Sequence, residues 1–152
     1  MLFRSDPGQK VISSSLGHEL MNKNPFSNKR FEIAKNNTAR LKDILKSGEL
    51  DDFITITESE ALMIHSLMLS SDPYYILMKP NTLEAIYKVL EFRRDTKLHL
   101  SFTLDAGSNV HLLYPKSETE IITKFINNEL LKLCKSNSCI HDYLGNGATK
   151  IR

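Results

Sequence analysis

Cysteine is nearly absent. Cys134 and Cys139 are the only two among 152 residues. Their spacing fits no zinc pattern, and no second cluster is present. A reduced pair is expected, with a disulfide left open. Long hydrophobic runs are missing as well. The most apolar stretch, Leu62 to Leu69, is broken by His65 and Ser66 and falls short of membrane-spanning length. Met1 to Pro7 contain no apolar core of signal-peptide size, so a cytoplasmic protein away from the membrane is expected. Charge of one sign is scarce: the net charge of +2 is too small to point to nucleic acid. Glycine is also rare, at six residues, and no stretch has the density needed to wrap a triphosphate. Ser13 to Gly17 comes nearest. Neither a repeat nor a low-complexity tract is present.

What is there reads as one ordinary soluble domain. Hydrophobic residues make up 41% and charged residues 25%. A chain of this length can bury roughly two-thirds of its unfolded surface. The serine run at 13–15 can open a helix. A long helix is predicted over Ser27–Ser47, with Phe31, Ala34, Thr38, Leu41 and Leu45 as its buried stripe and Gly48 ending it. Lys29, Arg30, Lys35, Arg40 and Lys42 then form a solvated face. Asp51 is expected to cap a central helix over about 52–70, on which Glu58, Ala61, His65 and Met68 share a stripe. A short extended piece is expected over Tyr74 to Met78. Pro80 and Asn81 start the next helix, with Leu83, Ile86 and Leu90 inward and Glu91, Arg93, Arg94 and Asp95 exposed. After a capping box at Ser117 to Glu120, a helix buries Ile122, Phe125, Ile126, Leu130 and Leu133. The tail from Ser138 to Ile151 reads as a last irregular strand.

Between the last two helices, Leu98, Leu100, Phe102 and Leu104 alternate with polar residues, the period of a half-buried strand. Val110 to Tyr114 form a second strand, and Asp105 to Asn109 the hairpin connection. The whole is α+β, with helices gathered on one face of a small, mostly antiparallel sheet. Asp105 admits two readings: a turn aspartate capping its own backbone, or a carboxylate presented at a strand tip as base or metal ligand. Ser13 and Ser14 can cap a helix or hold a phosphate at its amino terminus. His65 is a satisfied core residue or lines a site.

Ser101-Phe102-Thr103-Leu104-Asp105-Ala106-Gly107-Ser108-Asn109-Val110 resembles the aromatic-Thr-x-Asp-Ala-Gly-Pro-Asn signature of diphosphomevalonate decarboxylases, in the GHMP small-molecule kinase superfamily. Val11 to His18 is similar to the family's Val-Ser-Ser-x-x-Gly-Met segment, and Glu58 to Ser66 to a helix carrying its Phe/Met-His-Ala triplet. Ser108 stands where Pro is usual, implying a less rigid turn, and His18 where Met is usual. A Gly-x-Gly-Gly-Gly run typical of the related phosphomevalonate kinases is replaced here by the Asp105 to Asn109 turn. The resemblance implies a GHMP carboxy-terminal, ferredoxin-like domain over 11–152, with 1–10 as the entry from an amino-terminal domain lacking here. It implies Asp105 as the catalytic base and Ser13 or Ser14 beside the substrate diphosphate, with no metal ligand assigned. ATP and Mg2+ would serve the full-length enzyme, none being expected on this chain alone. The implied substrate is diphosphomevalonate, and a homodimer is compatible with it. A non-catalytic stand-alone module, or the same domain of another superfamily kinase, is the alternative.

Overall fold

The structure is a computed structural model and describes residues 2–3, 14–134, 137 and 139–145. Its elements in chain order are β1 (Leu2–Phe3), α1 (Ser14–Lys23), α2 (Ser27–Ser47), α3 (Leu50–Leu69), α4 (Pro80–Thr96), β2 (Ser101–Leu104), β3 (Val110–Leu113), α5 (Thr119–Phe125) and β4 (Cys139–Ile140). The sheet order is β2-β3-β1-β4, and every pairing is antiparallel. Leu2–Phe3, read from sequence as part of an entry segment, pair with His111 and Val110 on one side and with Ile140 and Cys139 on the other. The β2–β3 hairpin has the register Ser101↔Leu113 to Leu104↔Val110.

The α+β reading holds, and the alternation along β2 explains the packing. Leu100 and Phe102 point to one face with Val110 and Leu112 of β3, and all four are buried. Ala85, Ile86 and Val89 of α4 cover them, together with Ile122 of α5 and Ile126 and Leu130 beyond it. These side chains form the main core. Past α5 the chain takes one wide π turn, Ile126–Leu130, then a 3-10 turn, Leu131–Leu133. A second apolar cluster joins α1 to the end of α3: Leu20, Met21, Leu67, Met68 and Tyr75. The Tyr75 hydroxyl donates to the Gly17 carbonyl at 3.1 Å, which ties the loop after α3 to α1.

Several expected faces are rotated. α2 has its predicted ends, and Gly48 closes it at φ 82, a left-handed conformation that glycine adopts without a Cβ clash. However, Phe31 and Leu45 are exposed, and Ile44 is the buried aliphatic. The inward positions go instead to Arg30 and Asn37, which both reach Glu60 on α3. Arg30 therefore belongs to the helix seam and not to the solvated basic face. On α4, Leu83 and Leu90 are exposed, while Thr82, Ala85, Ile86 and Val89 face inward. Small and polar residues occupy the crowded side where α4 meets the sheet.

The predicted caps also differ. Asp51 lies in the first turn of α3, whose N-cap is Glu49. Asn81 donates its side-chain amide to the Leu133 carbonyl at 2.8 Å in place of pairing with Glu84, and Thr82 accepts from the Lys79 amide at 3.1 Å. Glu118 serves His99 rather than a helix start, accepting from its amide and its Nδ1, each at 2.7 Å. Tyr74 to Met78 pair with no strand. Within the predicted tail strand only Cys139–Ile140 is regular among the described residues. Both cysteines are free thiols. No helix among the described residues is long and apolar enough to cross a membrane.

Candidate functional site

β2 is an edge strand, and an open edge carries backbone groups that need partners. α3 and α4 supply them with side chains. Glu58 Oε1 accepts from the Phe102 amide at 3.4 Å, and Arg93 Nη1 donates to the Leu100 carbonyl at 2.8 Å. Arg93 and Glu58 also meet as a two-pronged ion pair, with Nη2 to Oε2 at 3.0 Å. Two turns further along α3, His65 reaches the Asp105 carbonyl at 3.2 Å. A carbonyl only accepts, so His65 carries its proton on Nε2. The Glu58–Ala61–His65 stripe of α3 thus runs along β2 and ends at the Asp105 turn. His65 is buried and satisfied, as the core reading expects, and its partner is the backbone of that turn.

The turn is held at a second point. Thr82 Oγ1, at the start of α4, donates to the Ser108 carbonyl at 2.9 Å. A proline at 108 would have restricted the backbone from within; here α3 and α4 clamp it from outside. Inside the turn, Asn109 Nδ2 donates to Asp105 Oδ2 at 2.8 Å. Asp105 Oδ1 is buried and has no hydrogen-bond partner among the described residues. Among the described residues neither carboxylate oxygen accepts from a backbone amide. Gly107 lies so close beneath that a Cβ there would sit 2.9 Å from Oδ1, tighter than real Cβ contacts. Only glycine leaves room for the carboxylate in this orientation.

Burial of His65 lowers its pKa from the ordinary 6.5, against the opposing pull of the Asp105 carbonyl and carboxylate. The folded state therefore takes up this proton less readily than the unfolded chain. Stability from this group is full above about pH 6.5 and falls as pH drops from there towards the lowered folded value. Urea midpoints measured between pH 7.5 and 5 are expected to fall, and His65→Gln should flatten that slope. An unchanged slope in the variant would show that the proton uptake lies elsewhere.

Ser13 lies outside the described residues, and Ser14 is the first residue of α1. Their relation to Asp105 is therefore carried by the sequence alone. His18 is exposed on α1. Among the described residues no three His, Cys, Asp or Glu side chains converge as a metal site. A shallow groove of about 530 Å³ lies before the start of β2, lined by Arg93, Arg94, Lys97, His99 and others, and does not include Asp105. The Arg93–Glu58 brace and the Thr82 clamp were missed in the sequence. Their partners stand 35 and 26 residues apart, and no local spacing announces such pairs.

The family model described as mevalonate 5-diphosphate decarboxylase C-terminal domain matches residues 4–147. Among solved structures, a mevalonate diphosphate decarboxylase from Legionella pneumophila is similar at a TM-score of 0.78 and 26% identity, over 85% of this chain and 41% of that one. The mevalonate pyrophosphate decarboxylase from Streptococcus pyogenes gives 0.77 and 22%, over 84% and 40%. The Enterococcus faecalis enzyme, described for ATP binding mediated by mevalonate diphosphate, gives 0.75 and 22%, over 87% and 40%. The chain thus spans about 40% of the length of these structures. A search of curated proteins finds no match.

Proposed function

The chain belongs to the mevalonate 5-diphosphate decarboxylase C-terminal domain family, and on that premise we propose that it is the carboxy-terminal half of an ATP-dependent decarboxylase. The proposed reaction converts diphosphomevalonate to isopentenyl diphosphate, with Asp105 as the base. One observation carries the reading: a buried carboxylate oxygen stands unpartnered at the tip of β2, in a turn clamped by two helices. Buried acceptors are nearly always satisfied, so an orphan at a strand tip suits a group that meets its donor on the substrate.

In the proposed step the tertiary hydroxyl loses its proton to Asp105, and its oxygen bonds to the γ-phosphorus of ATP as the bond to ADP breaks. The new phosphate then leaves with its C–O electron pair. The C–C bond to the carboxylate supplies the electrons of the double bond, and carbon dioxide departs. Such a transfer depends mostly on positioning and charge neutralisation. This chain contributes the base, and either Ser13 or Ser14 contributes a hydroxyl to the diphosphate. The charge neutralisation for ATP falls to an amino-terminal GHMP domain with Mg2+. We take the cytoplasm as the proposed location of this reaction among small soluble metabolites.

The test compares the chain alone with the chain fused to the amino-terminal region of the Legionella pneumophila relative. Isopentenyl diphosphate should form with the fusion and not with the chain alone. Turnover by the chain alone would refute the dependence on a second domain. A fusion that binds no diphosphomevalonate by calorimetry would favour a non-catalytic interaction module.

A further inference from the structure

We infer that Asn109 is a positioning residue for this reaction, and that Oδ1 is the one oxygen of Asp105 that receives the proton. The inference rests on the proposed role of Asp105 as base. A carboxylate swings about its terminal torsion with little preference, so packing does not by itself decide which oxygen faces the substrate. Three observations bear on it here. Asn109 Nδ2 occupies Oδ2 at 2.8 Å. A Cβ at Gly107 would sit 2.9 Å from Oδ1, so the glycine lets that oxygen keep its place. Oδ1 itself is buried and takes no donor from the described residues.

The amide also has the right chemistry for the task. Its N–H binds one carboxylate oxygen without carrying a charge, whereas a Lys or Arg there would compete with the substrate for both oxygens. The Asn109 carbonyl oxygen is likewise buried and without a partner. A second acceptor therefore lies in the same turn, and it suits a substrate hydroxyl rather than a carboxylate or phosphate oxygen, which would be repelled.

The turn's own anchors make this a local device. His65 and Thr82 fix the backbone at Asp105 and Ser108 through main-chain carbonyls, so neither depends on the Asn109 side chain. Removing that side chain should free the carboxylate and leave the turn in place.

In the fused enzyme, Asn109→Ala is expected to lower kcat on the order of 100-fold, the scale of a misplaced reacting group. KM for diphosphomevalonate should stay within about twofold, because the lost contact acts on the reacting oxygen and not on binding. Asn109→Ser, which keeps a short donor, should recover part of kcat. Added to Asp105→Asn, Asn109→Ala should cost nothing further.

On the 152-residue chain alone, the Asn109 side-chain amide protons should exchange slowly and shift in NMR spectra when Asp105 is replaced by Ala. Fast-exchanging protons unmoved by that change would overturn the inference whatever the kinetics show. So would a fully active Asn109→Ala beside an inactive Asp105→Asn, or losses that simply add. Near-normal turnover of Asp105→Asn would instead overturn the base assignment on which the inference rests.

Discussion

Asp105→Asn is expected to lower turnover of the fused enzyme by roughly 10²- to 10⁴-fold, the usual contribution of a general base. The substitution changes little else. The amide has nearly the shape of the carboxylate, and its oxygen can take the Asn109 N–H that Oδ2 takes now. Its new NH2 group falls at the oxygen that has no protein donor to lose. It can also turn to the unpartnered Asn109 carbonyl, so the turn gains a compatible pair and not a clash. The backbone anchors at His65 and Thr82 are untouched. Urea midpoints should therefore stay close to the parent, and so should KM. A variant that keeps turnover within about tenfold of the parent, with the same midpoint, would remove Asp105 from the chemistry.

The sequence made this site visible through local pattern. Period-two alternation marked β2, turn residues marked the connection, and the strand end fell at Asp105. Gly48 and the ends of α2 were readable for the same reason, since caps and periodicity act over a few residues. The apolar width of α3 correctly placed it at the centre, where it buries Ile54, Ile56, Ala61 and Leu67. What escaped was the polar interior. Arg30 and Asn37 took inward positions because Glu60 waits across the helix seam, and Thr82 is fully buried because a carbonyl of the turn needs its hydroxyl. Counting apolar residues assigns those positions to solvent and rotates the stripe. Such pairs form between residues distant in sequence, and each side chain looks like surface until its partner is known.

The same principle places the site. The four-stranded sheet is small, and its four-residue edge strand β2 could not stand bare. Side chains of α3 close that edge, and their row leads from Glu58 at Phe102 to His65 at Asp105. The position of Asp105 is thus fixed by the device that seals the strand: one row of residues on one helix serves both the edge and the turn.

Glu58→Ala is expected to cost roughly 3–5 kcal/mol, the scale for breaking a buried ion pair by removing one partner. The Glu58 side chain is 11% exposed and that of Arg93 is 25% exposed, so neither can recover full hydration in place. Removing the carboxylate takes the counter-charge from a mostly buried guanidinium, which keeps the Leu100 carbonyl, and deprives the Phe102 amide of its acceptor. A small domain has only about 5–15 kcal/mol in total, so the urea midpoint should drop steeply. Glu58→Leu combined with Arg93→Met removes both charges and keeps the volume, and it should regain much of the loss. The Phe102 amide and the Leu100 carbonyl would still lack partners in that double variant, so recovery should stop short of the parent. A single-variant loss below about 1 kcal/mol would mean that the pair behaves like an exposed one. In that case the edge of β2 would be held by the helix backbone packing alone, and His65 would lose its claim to be the end of a continuous brace.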